Sequence, residues 1–282
     1  MDGALVAGLD RLIDMALRED LGPGDITTES VVPETLWARA EFIAKEEGVV
    51  AGLPVAGRVF KRLDPETEFR AEVAEGSAVK AGAVLAVVAG RARTILTGER
   101  VALNFVRHLS GIATRTRRLV AAVEGLRAVV LDTRKTTPGL RALEKYAVRA
   151  GGGRNHRFGL FDGILIKDNH IRAAGGIREA VARARARAPH TLKVEVEVQS
   201  LDEVEEAVAA GADIIMLDNM PVAAMREAVR RIGGRALVEA SGGITEENVR
   251  EVAATGVDFI SAGALTHSAR ALDISLEIVE VR

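Results

Sequence analysis

The chain has 282 residues with a net charge of −2, room for one large domain or two ordinary ones at about 150 residues each. Apolar residues make up 48% and aromatics only 3%, so a sizeable core has to be aliphatic. So small a net charge gives no global field for nucleic acid or a membrane surface, and any anion site must be a local basic cluster.

With no Cys, the chain can form no disulfide, thiolate metal site or Cys nucleophile, which is compatible with a reducing compartment. The start, MDGALVAGLDRLIDMALRED, has Leu5, Leu9, Leu12, Ile13 and Ala16 at helical spacing. It lacks a basic leader region and an unbroken apolar stretch, so it reads as an amphipathic helix rather than a signal peptide. No run approaches the roughly 18 apolar residues of a membrane span. A cytoplasmic location is expected.

LGPGDITTES follows as a loop. Residues 40–44, 49–50, 68–73 and 84–88 read as short strands, 55–63 as a helix, and 94–123 as a long helix with a break near Gly111. Beyond it, aliphatic runs at 128–131, 163–166, 192–198, 213–217, 236–238 and 258–260 alternate with helical segments at 140–150, 177–188, 201–209, 222–231 and 246–254. That alternation predicts a parallel sheet, and it favours an α/β barrel short of eight strands over an open doubly wound sheet. The tail alternates Leu272, Ile274, Leu276 and Ile278 against polar residues, a half-buried antiparallel strand expected to return to the N-terminal region.

The polar residues have a positional logic. Thr133, Arg134, Lys135, Lys167, Glu197, Asp218, Ser241 and Gly263 each stand at or just past the carboxyl end of a predicted strand, the edge where parallel βα folds bind ligands. Arg134 offers a planar fork for carboxylate or phosphate, and Lys135 a mobile point charge. GGGRNHRFG brings Arg154, His156 and Arg157 to a glycine-rich loop that matches neither a Walker A loop nor a dinucleotide fingerprint, and a helix C-cap accounts for part of it. Lys167 closes a buried strand and needs a partner, either a ligand or one of Asp162 and Asp168. In LKVEVEV, Lys193, Glu195 and Glu197 share one face and Val194, Val196 and Val198 the other, so the charged face points into a barrel. Glu195 is expected to pair with Lys193. Glu197 and Asp218 are the better catalytic carboxylates, able to stabilise a developing cation, bind ribose hydroxyls or hold a metal. A structural network with Lys167 or Lys193 is the plainer alternative. Ser241-Gly242-Gly243 and the Gly263 turn present backbone N–H groups suited to phosphate. His108, His190, His267, Trp37 and Tyr146 read as packing or surface residues.

The stretch LDTRKTTPGLRALEKYAVRAGGGRNHRFGLFDGILIKDNHI resembles the signature of the quinolinate phosphoribosyltransferases, also called carboxylating nicotinate-nucleotide pyrophosphorylases. The likeness extends through REDLGPGDITTE, GERVALNFVRHLSGIAT, VEVEVQSLDE, LDNM, EASGGI and SAGALTHS. It implies an N-terminal α/β sandwich domain over 1–110, completed by the strand 268–282, and an incomplete parallel α/β barrel over 111–267. It implies transfer of a phosphoribosyl group from phosphoribosyl pyrophosphate (PRPP) to quinolinate, yielding nicotinate mononucleotide, pyrophosphate and CO2 in NAD biosynthesis. It further implies Arg134, His156, Arg157 and Lys167 around quinolinate, with Arg100 and Thr133 also substrate-binding. Lys135, Glu197 and Asp218 would serve PRPP catalytically, with Ser241, Gly242, Gly243 and Gly263 near its 5′-phosphate. Mg2+ is the implied cofactor, held through substrate and water oxygens, with Glu197 and Asp218 as candidate protein donors. The implied assembly is a homodimer with Arg100 crossing into the partner's site, with a hexamer left open. A related transferase with another aromatic substrate, and a non-catalytic phosphate-binding barrel, are the alternative readings.

Overall fold

Leu9, Ile13 and Leu17 recur every fourth position and are all buried, which makes the first helix, α1 (Gly3–Leu21), a one-sided amphipathic element. The computed structural model describes residues 3–282, with the side chains of residues 3–7 excepted; Leu5 therefore lies outside the described side chains. Helix α2 (Ile26–Val31) follows, then strands β1 (Trp37–Ala44) and β2 (Gly48–Val49), helix α3 (Leu53–Leu63), and strands β3 (Glu68–Ala71), β4 (Ala78–Val79) and β5 (Val84–Arg91). The long helix α4 covers Ala92–Ala122. The last strand of the chain, β12 (Ile274–Val281), pairs antiparallel with β1, in a four-stranded sheet ordered β12-β1-β5-β3. The returning tail strand is thus observed, although of its residues only Ile274 is buried and Ile278 is exposed.

Three of the seven phenylalanines form the aromatic centre of this region. Phe42, Phe60 and Phe69 lie with ring centroids 5.8 to 6.2 Å apart, one pair stacked and two edge-on. Alongside, Asp14 of α1 pairs with Arg62 of α3 at 2.8 Å, and Asp10 with Arg58. The four-residue spacing on both helices lines up the two pairs.

Two expectations fail here. The segment read as a loop contains α2, because Asp25 caps it: its Oδ1 accepts the Thr28 N–H at 2.9 Å. Helix α4 runs unbroken through Gly111. The glycine is required there by packing rather than by a kink, because a Cβ would collide with the carbonyl oxygen of Arg270.

The remaining elements alternate. They are β6 (Val129–Leu131), α5 (Arg141–Ala150), β7 (Ile164–Ile166), α6 (Asp168–Ala174), α7 (Ile177–Arg187), β8 (Val194–Val198), α8 (Leu201–Ala209), β9 (Ile214–Asp218), α9 (Val222–Ile232), β10 (Leu237–Ser241), α10 (Val249–Ala253), β11 (Phe259–Ser261) and α11 (Ala264–His267). The six strands form one parallel sheet ordered β6-β11-β10-β9-β8-β7. β6 and β7 stand at its two ends, so the sheet is an incomplete barrel with helices between its strands. Leu131 of β6 adds an isolated parallel bridge to Arg154, part-way along the chain towards β7.

Compactness divides the chain into two units: Met1–Arg115, Thr137–Gly152 and Ala269–Arg282 in one, Thr116–Thr136 and Gly153–Ser268 in the other. The excursion carrying α5 thus groups with the first unit. There Glu144, fully buried, accepts from the Thr137 N–H at 3.1 Å and pairs with His108 at 2.9 Å. Tyr146 donates its hydroxyl to Glu75 at 2.5 Å, and Glu75 also caps α3 by accepting the N–H groups of Gly52 and Leu53. His108 and Tyr146 therefore hold this unit together through specific polar contacts, beyond simple packing.

Candidate active site

Strand register decides which side chains share a face. Parallel partners lie on the same side of a sheet, so the pairs Glu197–Met216–Glu239 across β8, β9 and β10 lie in one row. Asp218, Ser241 and Ser261 form the next row towards the carboxyl edge. Val194, Val196 and Val198 take the opposite face and are fully buried, as are Ile215 and Leu217 on β9. The charged face of β8 is the side shared with Asp218 and Ser241, so one edge of the second unit collects the polar residues.

Lys167 follows β7 directly and its ammonium is ion-paired with Glu197 Oε2. Its protein partner is therefore Glu197 rather than Asp162 or Asp168. Asp162 instead accepts the N–H groups of Phe158 and Gly159 at 2.7 and 2.8 Å, tightening the 158–162 loop.

Glu195 does not pair with Lys193. Two residues along a strand are separated by about 6.6 Å, which puts Lys193 at the opposite, amino-terminal mouth, where it is exposed and lines a cavity of about 410 Å³ with Arg127, Arg235 and Asp258. Glu195 turns to His156, whose Nε2 lies 3.2 Å from Glu195 Oε2 and 3.7 Å from Glu239 Oε1. Both carboxylates are almost fully buried, and Oε1 of each has no hydrogen-bond partner among the described residues. Burial, reinforced by the neighbouring Glu195 charge and opposed by His156, pushes Glu239 up to about 7.

Asp132, buried at the end of β6, builds the loop that carries His156. Its two oxygens accept Asn155 Nδ2 at 2.5 Å and the His156 N–H at 2.9 Å. His156 Nδ1 in turn accepts the Arg157 N–H at 2.7 Å. Arg157 donates to the Gly163 carbonyl at 2.8 Å. Its guanidinium is held below the usual arginine range, first by burial and next by the charge of Arg134, with Glu195 and Asp162 opposing. A part-buried guanidinium with a second cation nearby makes a site that an anion would relieve. Gly151 and Gly152 of GGGRNHRFG are accounted for by the end of α5, where their N–H groups bond the Ala147 and Arg149 carbonyls.

Thr133 Oγ1 accepts the Lys135 N–H at 3.0 Å, forming the turn after β6. Gly263 has an ordinary helical φ of −63°, so its need is space: a Cβ would lie 2.9 Å from Lys135 Cδ. The Gly263 turn and Lys135 are therefore adjacent, tied also by Thr266 Oγ1 donating to the Lys135 carbonyl at 2.7 Å. The His267 ring lies against Gly263 as well, a neighbour that its loop position in the sequence did not single out. Gly242 and Gly243 both have positive φ, 89° and 62°, in the turn after β10.

Asp218, at the end of β9, accepts through Oδ2 from Asn219 Nδ2 at 3.0 Å and from Gln199 Nε2 at 3.3 Å. Arg100 lies in the first unit, exposed on α4. The other candidate residues all belong to the second unit.

Among the described residues, one group of three, His156, Glu195 and Glu239, offers ligand atoms within 4.8 Å of one another. An imidazole and two buried carboxylates suit a transition metal better than Mg2+, which takes oxygen ligands and keeps water. Glu197 and Asp218 supply oxygen donors only and fit Mg2+ better. No helix among the described residues is long and apolar enough to cross a membrane.

A parallel βα array whose carboxyl edge carries cations, two carboxylates and glycine turns is the architecture of an enzyme acting on anionic small molecules. The family model described as the quinolinate phosphoribosyl transferase C-terminal domain matches residues 112–277, and the corresponding N-terminal domain matches 25–110. The chain is 47% identical to the probable carboxylating nicotinate-nucleotide pyrophosphorylase of Bacillus subtilis, over 96% of this chain and 93% of that one. It is 48% identical to the Synechocystis protein of the same name, over 96% and 92%. The crystal structure of NadC from Streptococcus pyogenes superposes with a TM-score of 0.92 at 46% identity, covering 97% of this chain and 96% of that one. The nicotinate-nucleotide pyrophosphorylase of Francisella tularensis gives 0.93 at 43% identity, covering 96% of each chain. The chain belongs to the quinolinate phosphoribosyltransferase family, and its activity is decarboxylating transfer of a phosphoribosyl group to quinolinate.

Proposed function

We propose that the carboxyl edge of the six-stranded sheet holds quinolinate and PRPP side by side, with Arg134, Arg157 and Lys167 at the quinolinate carboxylates. The observation that carries this reading is Arg134 close enough to act on the charge of a partly buried Arg157, together with the Lys167–Glu197 ion pair at the carboxyl ends of β7 and β8. Such clustered cations are costly alone and stabilised by a dianion. His156, fixed through both ring nitrogens, walls the same pocket and sets the Arg157 backbone. Thr133 shapes the turn that presents Lys135, whose ammonium reaches the pyrophosphate. The Ser241-Gly242-Gly243 turn and Gly263 serve the 5′-phosphate with backbone N–H groups.

The C1–oxygen bond of PRPP breaks and its electron pair leaves with pyrophosphate, beside Lys135. Positive charge builds on the ribose ring, where Glu197 and Asp218 stabilise it as preorganised negative groups. The quinolinate nitrogen uses its lone pair to bond C1. The pyridinium formed is an electron sink, so the bond from C2 to the adjacent carboxyl carbon breaks and CO2 departs. A proton from solvent then fills C2. Orientation and charge carry the rate without a covalent enzyme intermediate. Glu197 and Asp218 would hold Mg2+ together with substrate and water oxygens, and the ion would supply charge neutralisation for the departing pyrophosphate.

The working form in this reading is a cytoplasmic homodimer, with the exposed Arg100 of one chain entering the partner's site. The reading is tested by incubating the protein with PRPP, Mg2+ and quinolinate labelled in its 2-carboxylate. One labelled CO2 should appear for each nicotinate mononucleotide. Turnover of another pyridine carboxylate with none of quinolinate would transfer the assignment to a related enzyme.

A further inference from the structure

Asn219 has φ of 53°, and it is the only non-glycine residue with positive φ among those described. A left-handed backbone is costly for an ordinary residue and is tolerated best by Asn and Asp. Three contacts hold it there. Its N–H donates to the Ser241 carbonyl at 2.9 Å, at the end of the neighbouring strand β10. Its amide nitrogen donates to Asp218 Oδ2 at 3.0 Å. Its amide oxygen occupies the space a Cβ at Gly242 would fill, so the absence of a side chain at Gly242 is what admits the Asn219 amide. Asn219 thus ties Asp218 on β9 to the glycine turn after β10. Gln199 adds a second, longer donor to the same carboxylate oxygen at 3.3 Å. Oδ1 of Asp218 has no protein partner among the described residues.

We propose that Asn219 is a positioning residue for the transfer step: it fixes the Asp218 carboxylate through Oδ2 and so aims Oδ1 at the bound sugar or its cation. The proposal rests on the role given to Asp218 above. It also assigns Gly242 a purpose besides phosphate approach, namely room for the Asn219 amide. A carboxylate held by two amides has little reorganisation left to do as charge develops, which is where electrostatic catalysis gains.

The test uses Asn219→Gly, which accepts the positive φ without strain but lacks the amide. Thermal midpoint should stay within a few degrees of wild type. Turnover should fall about tenfold or more while KM for quinolinate stays within about twofold, because only the transition-state interaction is lost. In a double-mutant cycle with Asp218→Asn, Asn219→Gly should cost nothing further, since it acts through that carboxylate. Asn219→Asp keeps the size and the tolerated φ while removing the donor, and should lose turnover similarly should the glycine variant fold poorly. Wild-type turnover in both Asn219 variants, with Asp218→Asn impaired, overturns the proposal alone. So do fully additive losses in the cycle. Wild-type turnover in Asp218→Asn removes Asp218 from the chemistry and Asn219 with it.

Discussion

Lys167 and Glu197 are ion-paired across the neighbouring strands β7 and β8, the lysine side chain 45% exposed and the glutamate 10%. Under the proposed roles the pair links the quinolinate subsite with the ribose subsite, so the two residues would not act independently. Lys167→Met should raise KM for quinolinate and also lower turnover, because Glu197 loses its partner. Since the lysine is nearly half exposed, the stability cost should be modest, on the order of 1 kcal/mol, or a few degrees in thermal midpoint. Steady-state kinetics on Lys167→Met, Glu197→Gln and the double variant provide the check. Strict additivity would show that the pair does not couple the two subsites.

Arg134 and Arg157 make the second prediction. Burial and then the Arg134 charge disfavour the charged Arg157 guanidinium, and in the proposed site a dicarboxylate would offset that cost. Arg134→Ala should weaken quinolinate binding by about 10- to 100-fold, the worth of one charge-assisted hydrogen bond of roughly 1.5–3 kcal/mol. Arg134→Lys should recover only part of it, since a point charge cannot reproduce the planar fork. Calorimetric titration with quinolinate measures both. Wild-type affinity in Arg134→Ala would remove this residue from the pocket.

Glu239 predicts how stability varies with pH. Its carboxyl is pushed up to about 7, chiefly by burial and then by Glu195, against an ordinary value of 4.5. The folded state therefore keeps its proton between those two values while the unfolded chain has lost it. Where the folded state binds more protons, stability falls as pH rises. The contribution is fully present below 4.5, declines through the window, and is gone above about 7. Glu239→Gln should flatten the thermal midpoint against pH over this window and gain most relative to wild type above pH 7. Parallel midpoint curves for the two proteins would show that Glu239 does not hold its proton.

Much of the strand framework around the candidate site was legible because strand periodicity is local. The alternation of Lys193, Glu195 and Glu197 against three valines gave the inward face of β8, and the strand-end positions of Lys167, Asp218 and Ser241 followed from the parallel pattern. What escaped needed partners from distant strands. Nothing near Glu195 in sequence reveals that it meets His156 rather than Lys193, and nothing near Asp132 shows that it builds the 155–156 loop. Asn219 was hidden for a similar reason: its left-handed φ becomes meaningful only beside Gly242, on another strand's turn. Helix α6 was missed because it follows β7 with only Lys167 between them, and lysine is a poor N-cap signal in a sequence.

Arg100 supplies the last prediction, since it is exposed on α4 while the other assigned groups belong to the second unit. If it completes the partner's site, Arg100→Ala and Lys167→Ala each inactivate every site of a homodimer. In a mixed dimer the two lesions fall together on one site. The other site combines an intact Lys167 with an intact Arg100 from the partner. Random reassociation of equal amounts puts half the dimers in the mixed form, so activity should return to about a quarter of wild type. Purified heterodimers, prepared with distinct affinity tags, should show about half. Heterodimers as inactive as the parents would mean that Arg100 acts within its own chain or not at all. Recovery without detectable heterodimers would point to residual activity in one variant, which assays of the separate parents measure directly.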